Sequence, residues 1–164
     1  MNFSTLFRIG ENLNLDKKTL VNLRWIALIG QLTAINLVYF FLNLEFPIII
    51  SHIIIFLGFI SNIFLQFKVR SNLLKDLYAS FYLVYDLVQL SLLLYLTGGI
   101  SNPFSILIII PTIVSSTFLS MGTTIILGLL TIVFLYMLTI FHYPLPGIHD
   151  EISSFPKLYL VGYF

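Results

Sequence analysis

The sequence predicts an all-α, polytopic membrane helix bundle with five complete spans and a truncated sixth. Three observations carry that prediction. The 164 residues are 59% hydrophobic and 9% charged, with a mean hydropathy of +1.02, more apolar surface than a soluble domain of this size can bury. Several apolar runs reach about 20 residues, the length at which a helix crosses about 30 Å of hydrocarbon. The basic residues also segregate. Arg8, Lys17, Lys18, Arg24, Lys68, Arg70 and Lys75 fall on one predicted side, and only Lys157 on the other.

Each span follows from its local sequence. Residues 1–20 are polar and mixed, without a cleavable signal, and read as a cytoplasmic N-terminal segment; residues 21–164 read as one transmembrane domain. The first span is expected from about Val21 to Leu42, with Trp25 beside Arg24 as an interfacial anchor. The second starts near Pro47, which suits a first helical turn, and ends near Gln66. The third covers about Leu77 to Thr97. The fourth covers Pro103 to about Ser120, with a bend expected at Pro111. The fifth covers about Gly122 to Tyr143. A sixth begins at Leu158 and stops at Phe164, too short to cross a bilayer, so the chain reads as a fragment of a longer protein. The charge bias places the N-terminus in the cytoplasm and the turn between the third and fourth spans on the far side.

The composition also excludes chemistry. The chain has no cysteine, so disulfides and thiolate chemistry are absent from it. No nucleophile–base pair, metal motif or phosphate-binding glycine loop is present, so no catalytic residue and no metal site is predicted. His142, His149, Asp150 and Glu151 share the last outer loop but match no tight ligand spacing, and a solvated loop accounts for them.

Two groups of residues stand out. In the third span, Asp86 and Gln89 lie three residues apart on one face, with Tyr82 a turn earlier. A carboxylate inside a span is costly and faces a bundle interior or a pathway. Such a stripe suits a ligand pocket, a proton relay or polar contact between helices, the last being its commonest use. Gln31, Asn36, His52 and Asn62 read as packing, and Ser116 and Ser120 as a small-residue contact. The second group is the turn Gly98-Gly99-Ile100-Ser101-Asn102-Pro103-Phe104. Capping accounts for Gly98, Asn102 and Pro103. It accounts less well for the second glycine and for Phe104.

Gly-Gly-x-x-Asn-Pro-Phe in such a turn resembles the quinone-binding heptapeptide of the RegB/PrrB family of redox-responsive sensor histidine kinases. Every fixed position is present: Gly98, Gly99, Asn102, Pro103 and Phe104. The resemblance extends to Leu23-Arg24-Trp25-Ile26-Ala27, Gly30-Gln31, Asp86-Leu87-Val88-Gln89-Leu90, Leu94-Tyr95-Leu96-Thr97 and His142-Tyr143-Pro144-Leu145-Pro146. It implies a six-span bacterial inner-membrane domain that binds ubiquinone at the heptapeptide; Asp86 and Gln89, read from their own span, are candidates for secondary contacts to that ligand. It also implies a homodimer, a response-regulator partner and a cytoplasmic kinase domain outside this chain, which alone would need ATP and Mg. Membrane lipid is an expected partner and nucleic acid is not. The alternative from the residues themselves is a small transporter or channel subunit with Asp86 and Gln89 in its pathway.

Overall fold

A computed structural model of the protein describes residues 16–41, 45–68, 74 and 76–143. The expected sixth helix lies outside the described residues, as do Arg8, Arg70, Lys75, His149, Asp150, Glu151, Lys157 and Pro144-Leu145-Pro146. Among the described residues the protein is all helical. In chain order come α1 (Lys17–Phe41), α2 (Ile48–Lys68), α3 (Asp76–Leu96), a 3₁₀ turn (Gly99–Ser101), a 3₁₀ stretch (Pro103–Ile109), α4 (Ile110–Phe118) and α5 (Met121–Ile140). Helices α1, α2, α3 and α5 are long and apolar enough to cross a membrane.

The helices run alternately up and down. At one end the ammonium of Lys17 on α1 donates to the carbonyl of Gln66 on α2. At that same end Asp76, the first residue of α3, accepts from the backbone N–H and hydroxyl of Ser120 and the hydroxyl of Thr123. An acid at a helix N-terminus also complements the macrodipole. At the other end the N–H of Tyr143 donates to the carbonyl of Tyr95, tying the end of α5 to the end of α3.

The fourth element is the short one. Seven residues in 3₁₀ form precede nine in α form. A 3₁₀ helix rises about 2.0 Å per residue and an α-helix about 1.5 Å. The 3₁₀ part therefore contributes about 14 Å and the α part about 13 Å, close to the thickness of the hydrocarbon. Pro111 stands at the start of α4. Lacking an N–H it cannot bond back along the helix, and here it marks the change from 3₁₀ to α pitch.

Helix α3 is central, packing on α2, α4 and α5, while α1 packs closely on α2. One buried cluster joins Leu20, Leu65, Leu83, Leu87, Leu94, Ile108 and Leu127. A second joins Leu28, Ile35, Phe46, Ile55 and Leu93 toward the opposite end of α1. The outward faces stay apolar: Ile49, Ile53, Phe56 and Phe67 on α2, and Ile126, Leu129, Ile132 and Tyr136 on α5, are all exposed. In a bilayer these side chains face lipid tails. Polar contacts finish the α4–α5 seam, where Ser115 bonds Thr124 and Thr112 bonds Thr131. Ser116 instead donates to its own helix at Ile113 and Ser120 belongs to the turn, so the contact expected from that pair is made one residue earlier.

Candidate functional site

The 97–104 turn is built from its glycines outward. Gly98 has φ 101° and Gly99 has φ 61°, left-handed values that cost a residue with a Cβ. At Gly99 a Cβ would also lie 2.6 Å from the Leu138 carbonyl and 2.6 Å from Cβ of His142. The second glycine, which capping alone leaves unexplained, is therefore required where the turn presses against the end of α5. Asn102 caps the following helix: its Oδ1 accepts from the N–H of Phe104 at 2.8 Å. Its amide nitrogen donates to both the carbonyl and the hydroxyl of Thr97, at 3.1 and 2.7 Å. The amide nitrogen is thus engaged within the turn. Gly98 and Gly99 are buried inside it, and Pro103 is exposed at its surface.

Below the turn a cleft of about 340 Å³ runs between α1 on one side and α3 with the fourth helix on the other. That volume falls at the lower end of the usual range for small-molecule sites, about 300–1,000 Å³. Asn102 and Phe104 line its mouth. Asp86 and Gln89 line it further in, together with Arg24 and Gln31. The structure so brings Asn102, Phe104, Asp86 and Gln89 to one cleft, and leaves Gly98, Gly99 and Pro103 out of its wall. Asp86 is about 16 Å along α3 from Thr97, and Gln89 about 12 Å.

The cleft exists because α1 and α3 meet through long side chains across a gap. Ala27, Gly30 and Ala34 line it from α1, and a Cβ at Gly30 would meet nothing within 4 Å. Its rim carries exposed apolar side chains, among them Ile26, Leu107 and Ile110, so the cleft opens sideways toward lipid.

Two polar rungs cross from α1 to α3. In the first, Nε of Arg24 donates to Oδ1 of Asp86 at 2.9 Å. Nη2 of Arg24 donates to Ser61 on α2 at 3.1 Å. The guanidinium carbon stands 5.1 Å from the Tyr82 ring centre and 5.5 Å from that of Tyr85, within range of cation–π attraction. In the second rung Nε2 of Gln89 donates to Oε1 of Gln31 at 3.0 Å. Gly58 of α2 makes the seat for this amide, since a Cβ there would come within 2.5 Å of Gln89 Oε1. The rungs leave two buried atoms without a partner among the described residues: Nη1 of Arg24 and Oε1 of Gln89.

Arg24 is the residue the linear reading placed differently. It was expected to open the first span at the cytoplasmic surface. The helix instead starts at Lys17, which carries Arg24 about 10 Å inward, where it is only 3% exposed. Burial of an arginine needs a counter-charge, and Asp86 is that charge. A lone arginine in one apolar helix and a lone aspartate in another was the available signal. Gln31, seven residues after Arg24 and so on nearly the same face, was the second. The remaining polar residues in the spans serve packing. Asn62 donates to the Val21 carbonyl across the α1–α2 contact. Asn36 and His52 bond carbonyls of their own helices.

Comparison with known proteins supplies the family. Residues 19–161 match the PilS-like transmembrane domain. The chain is 36% identical over 148 residues to sensor histidine kinase RegB of Cereibacter sphaeroides, which covers 90% of this chain and 32% of that protein. The chain thus spans about a third of the length of the curated relative it matches. No solved structure matches it. It is a multi-pass membrane protein related to a bacterial sensor kinase, and with the family's domain matched over most of its length it belongs to the PilS-like transmembrane domain family.

Proposed function

We propose that this chain is the membrane signal-input domain of a two-component sensor histidine kinase. It senses the redox state of the ubiquinone pool and controls autophosphorylation by a kinase domain outside these 164 residues. The observation that carries this reading is the cleft, which joins the Asn102–Phe104 end of the heptapeptide-like turn to buried polar groups and opens to lipid. A quinone fits those terms chemically. It is a flat apolar ring that reaches its receptor through the bilayer and bears oxygens at its edge. Reduction turns its carbonyl acceptors into hydroxyl donors, and a receptor responds when the two forms bind its two states unequally. Phe104, 39% exposed at the mouth, can stack on such a ring or close behind it.

In this reading the N-terminus is cytoplasmic, as Lys17, Lys18 and Lys68 at one end of the bundle favour, and the turn faces the periplasm of a bacterial inner membrane. The protein acts as a homodimer and passes phosphate to a response regulator. The test uses the full-length protein in lipid vesicles. Added ubiquinone is expected to change autophosphorylation of the unaltered protein, and Phe104→Ala to weaken that response several-fold. Asn102→Ala should also weaken it, but with a loss of about 1 kcal/mol from the cap, so Phe104 is the cleaner probe. An unchanged quinone response in both variants would refute the site.

A further inference from the structure

We infer that Asp86 is the contact that tells the two redox forms of the ligand apart. Its outer carboxylate oxygen accepts from a ring hydroxyl in the cleft and repels a ring carbonyl, while the Gln31 amide donates to either. This inference rests on the quinone reading above and assigns its discrimination to one side chain. Accessibility and pairing carry it. Asp86 lines the cleft and its side chain is 24% exposed, although it lies in mid-span. Its hydrogen bond with Arg24 uses Oδ1. Oδ2 has no partner among the described residues and is not one of the polar atoms sealed from the surface. The spare atoms of Arg24 and Gln89 are sealed, and Oε1 of Gln89 is pressed toward Gly58 of α2, so those two side chains hold helices together. On the second rung the accessible group belongs to Gln31, which is half-buried and lines the cleft. Its Oε1 accepts from Gln89, and its Nε2 has no partner among the described residues and is not sealed.

These two groups treat the two forms differently. Paired with Arg24, Asp86 is a carboxylate, and a carboxylate only accepts hydrogen bonds. A hydroquinone hydroxyl donates to it in a charge-assisted bond, about twice as strong as a neutral one. A quinone carbonyl brings a second acceptor to the same oxygen, with no proton between them. Nε2 of Gln31 donates to a carbonyl oxygen or to the lone pair of a hydroxyl. Gln89 follows Asp86 by three residues, so the rungs stand about 4.5 Å apart along α3, and one ring can address both. The row Ala27, Gly30 and Ala34 leaves room for it on the α1 side. The bond to α1 is thereby common to both forms, and the bond to α3 is made only by the reduced one.

The experiment measures the ratio of two affinities, which a purely structural role for Asp86 would not move. Labelled short-tailed ubiquinone, oxidised or held reduced without oxygen, is partitioned at equilibrium into lipid nanodiscs carrying the full-length protein. Asp86→Asn keeps the size of the side chain and an oxygen for Arg24, and offers the cleft an NH2 donor in place of an acceptor. It is expected to shift the ratio toward the oxidised form by about tenfold. Gln31→Leu is expected to weaken both forms by similar factors and to leave the ratio where it was. A second measurement needs no variant. The dimethyl ether of the same hydroquinone keeps the ring and both oxygens but donates nothing, and it should bind the unaltered protein about tenfold more weakly than the hydroquinone. An ether bound as tightly as the hydroquinone, or a folded Asp86→Asn protein with an unchanged ratio, would overturn this inference. If binding then stayed saturable and sensitive to Phe104→Ala, the quinone reading would stand without it. No saturable binding of either form would overturn both.

Discussion

Gly99 holds a left-handed conformation with the Leu138 carbonyl and the His142 side chain where its own side chain would begin. Both effects act on the same substitution, so Gly99→Ala is expected to destabilise the domain by about 1–3 kcal/mol. Gly122, at the start of α5 with nothing within 4 Å of a Cβ, is the control, and Gly122→Ala should be neutral or slightly stabilising. Thermal unfolding in detergent compares them. Arg24 makes a second residue-scale case. Removing it leaves Asp86 buried without its counter-charge, so Arg24→Ala should cost about 3–5 kcal/mol. Replacing both, as Arg24→Met with Asp86→Leu, should cost clearly less than the two single changes together. Equal or additive losses in that double-mutant cycle would mean that the pair is not coupled. The partnership was hard to read from the sequence, because a surface arginine and a buried one differ only in what stands opposite. Here that is a carboxylate 62 positions away.

At the scale of elements, the helices were legible and their finer geometry was not. Apolar runs bounded by prolines and polar turns fix where α2, α3 and α5 lie, because each must satisfy its own backbone in lipid. The Pro103 and Pro111 signals read as a cap and a bend. In the structure they bracket most of a 3₁₀ stretch, which lets a short helix reach nearly across the hydrocarbon. Residue type alone does not distinguish a bend from a change of pitch. The gap on α1 was equally silent. Gly30 in mid-helix costs about 1 kcal/mol relative to alanine, and only the neighbouring elements show that its missing side chain faces open space. Gly30→Leu should therefore leave folding intact or slightly improved, since the helix gains propensity and no atom is displaced. It should also fill the cleft and abolish the proposed ubiquinone response of the full-length protein. A variant that folds and still responds would show that the ligand lies elsewhere.

Across the whole molecule, α1 and α2 form one closely packed pair and α3, α4 and α5 form another group. Backbone packing joins the two mainly through α2 and α3, while α1 reaches α3 by side chains that span the cleft. The sequence showed both halves of the candidate site, the turn and the Asp86–Gln89 stripe, but not that one cleft would unite them. That union depends on α1, whose contribution is two long polar side chains and a row of small ones. The proposed ligand site also carries a mechanical prediction. A ring lodged between the groups touches α1, α3 and the fourth helix at once, so the state it favours differs in how α1 stands against α4. Helix packing within the α3–α5 group has no such inserted element and should hold. Spin labels test this in the full-length protein. One pair is placed at Ile29 and Ile113, exposed on α1 and α4, and a control pair at Val88 and Ile126, exposed on α3 and α5. None of these four lines the cleft. Added ubiquinone is expected to shift or narrow the distance distribution of the first pair and to leave the second unchanged. A ligand that binds saturably yet moves neither pair has no differential contact with the two arrangements, and it could not then drive a signal through them.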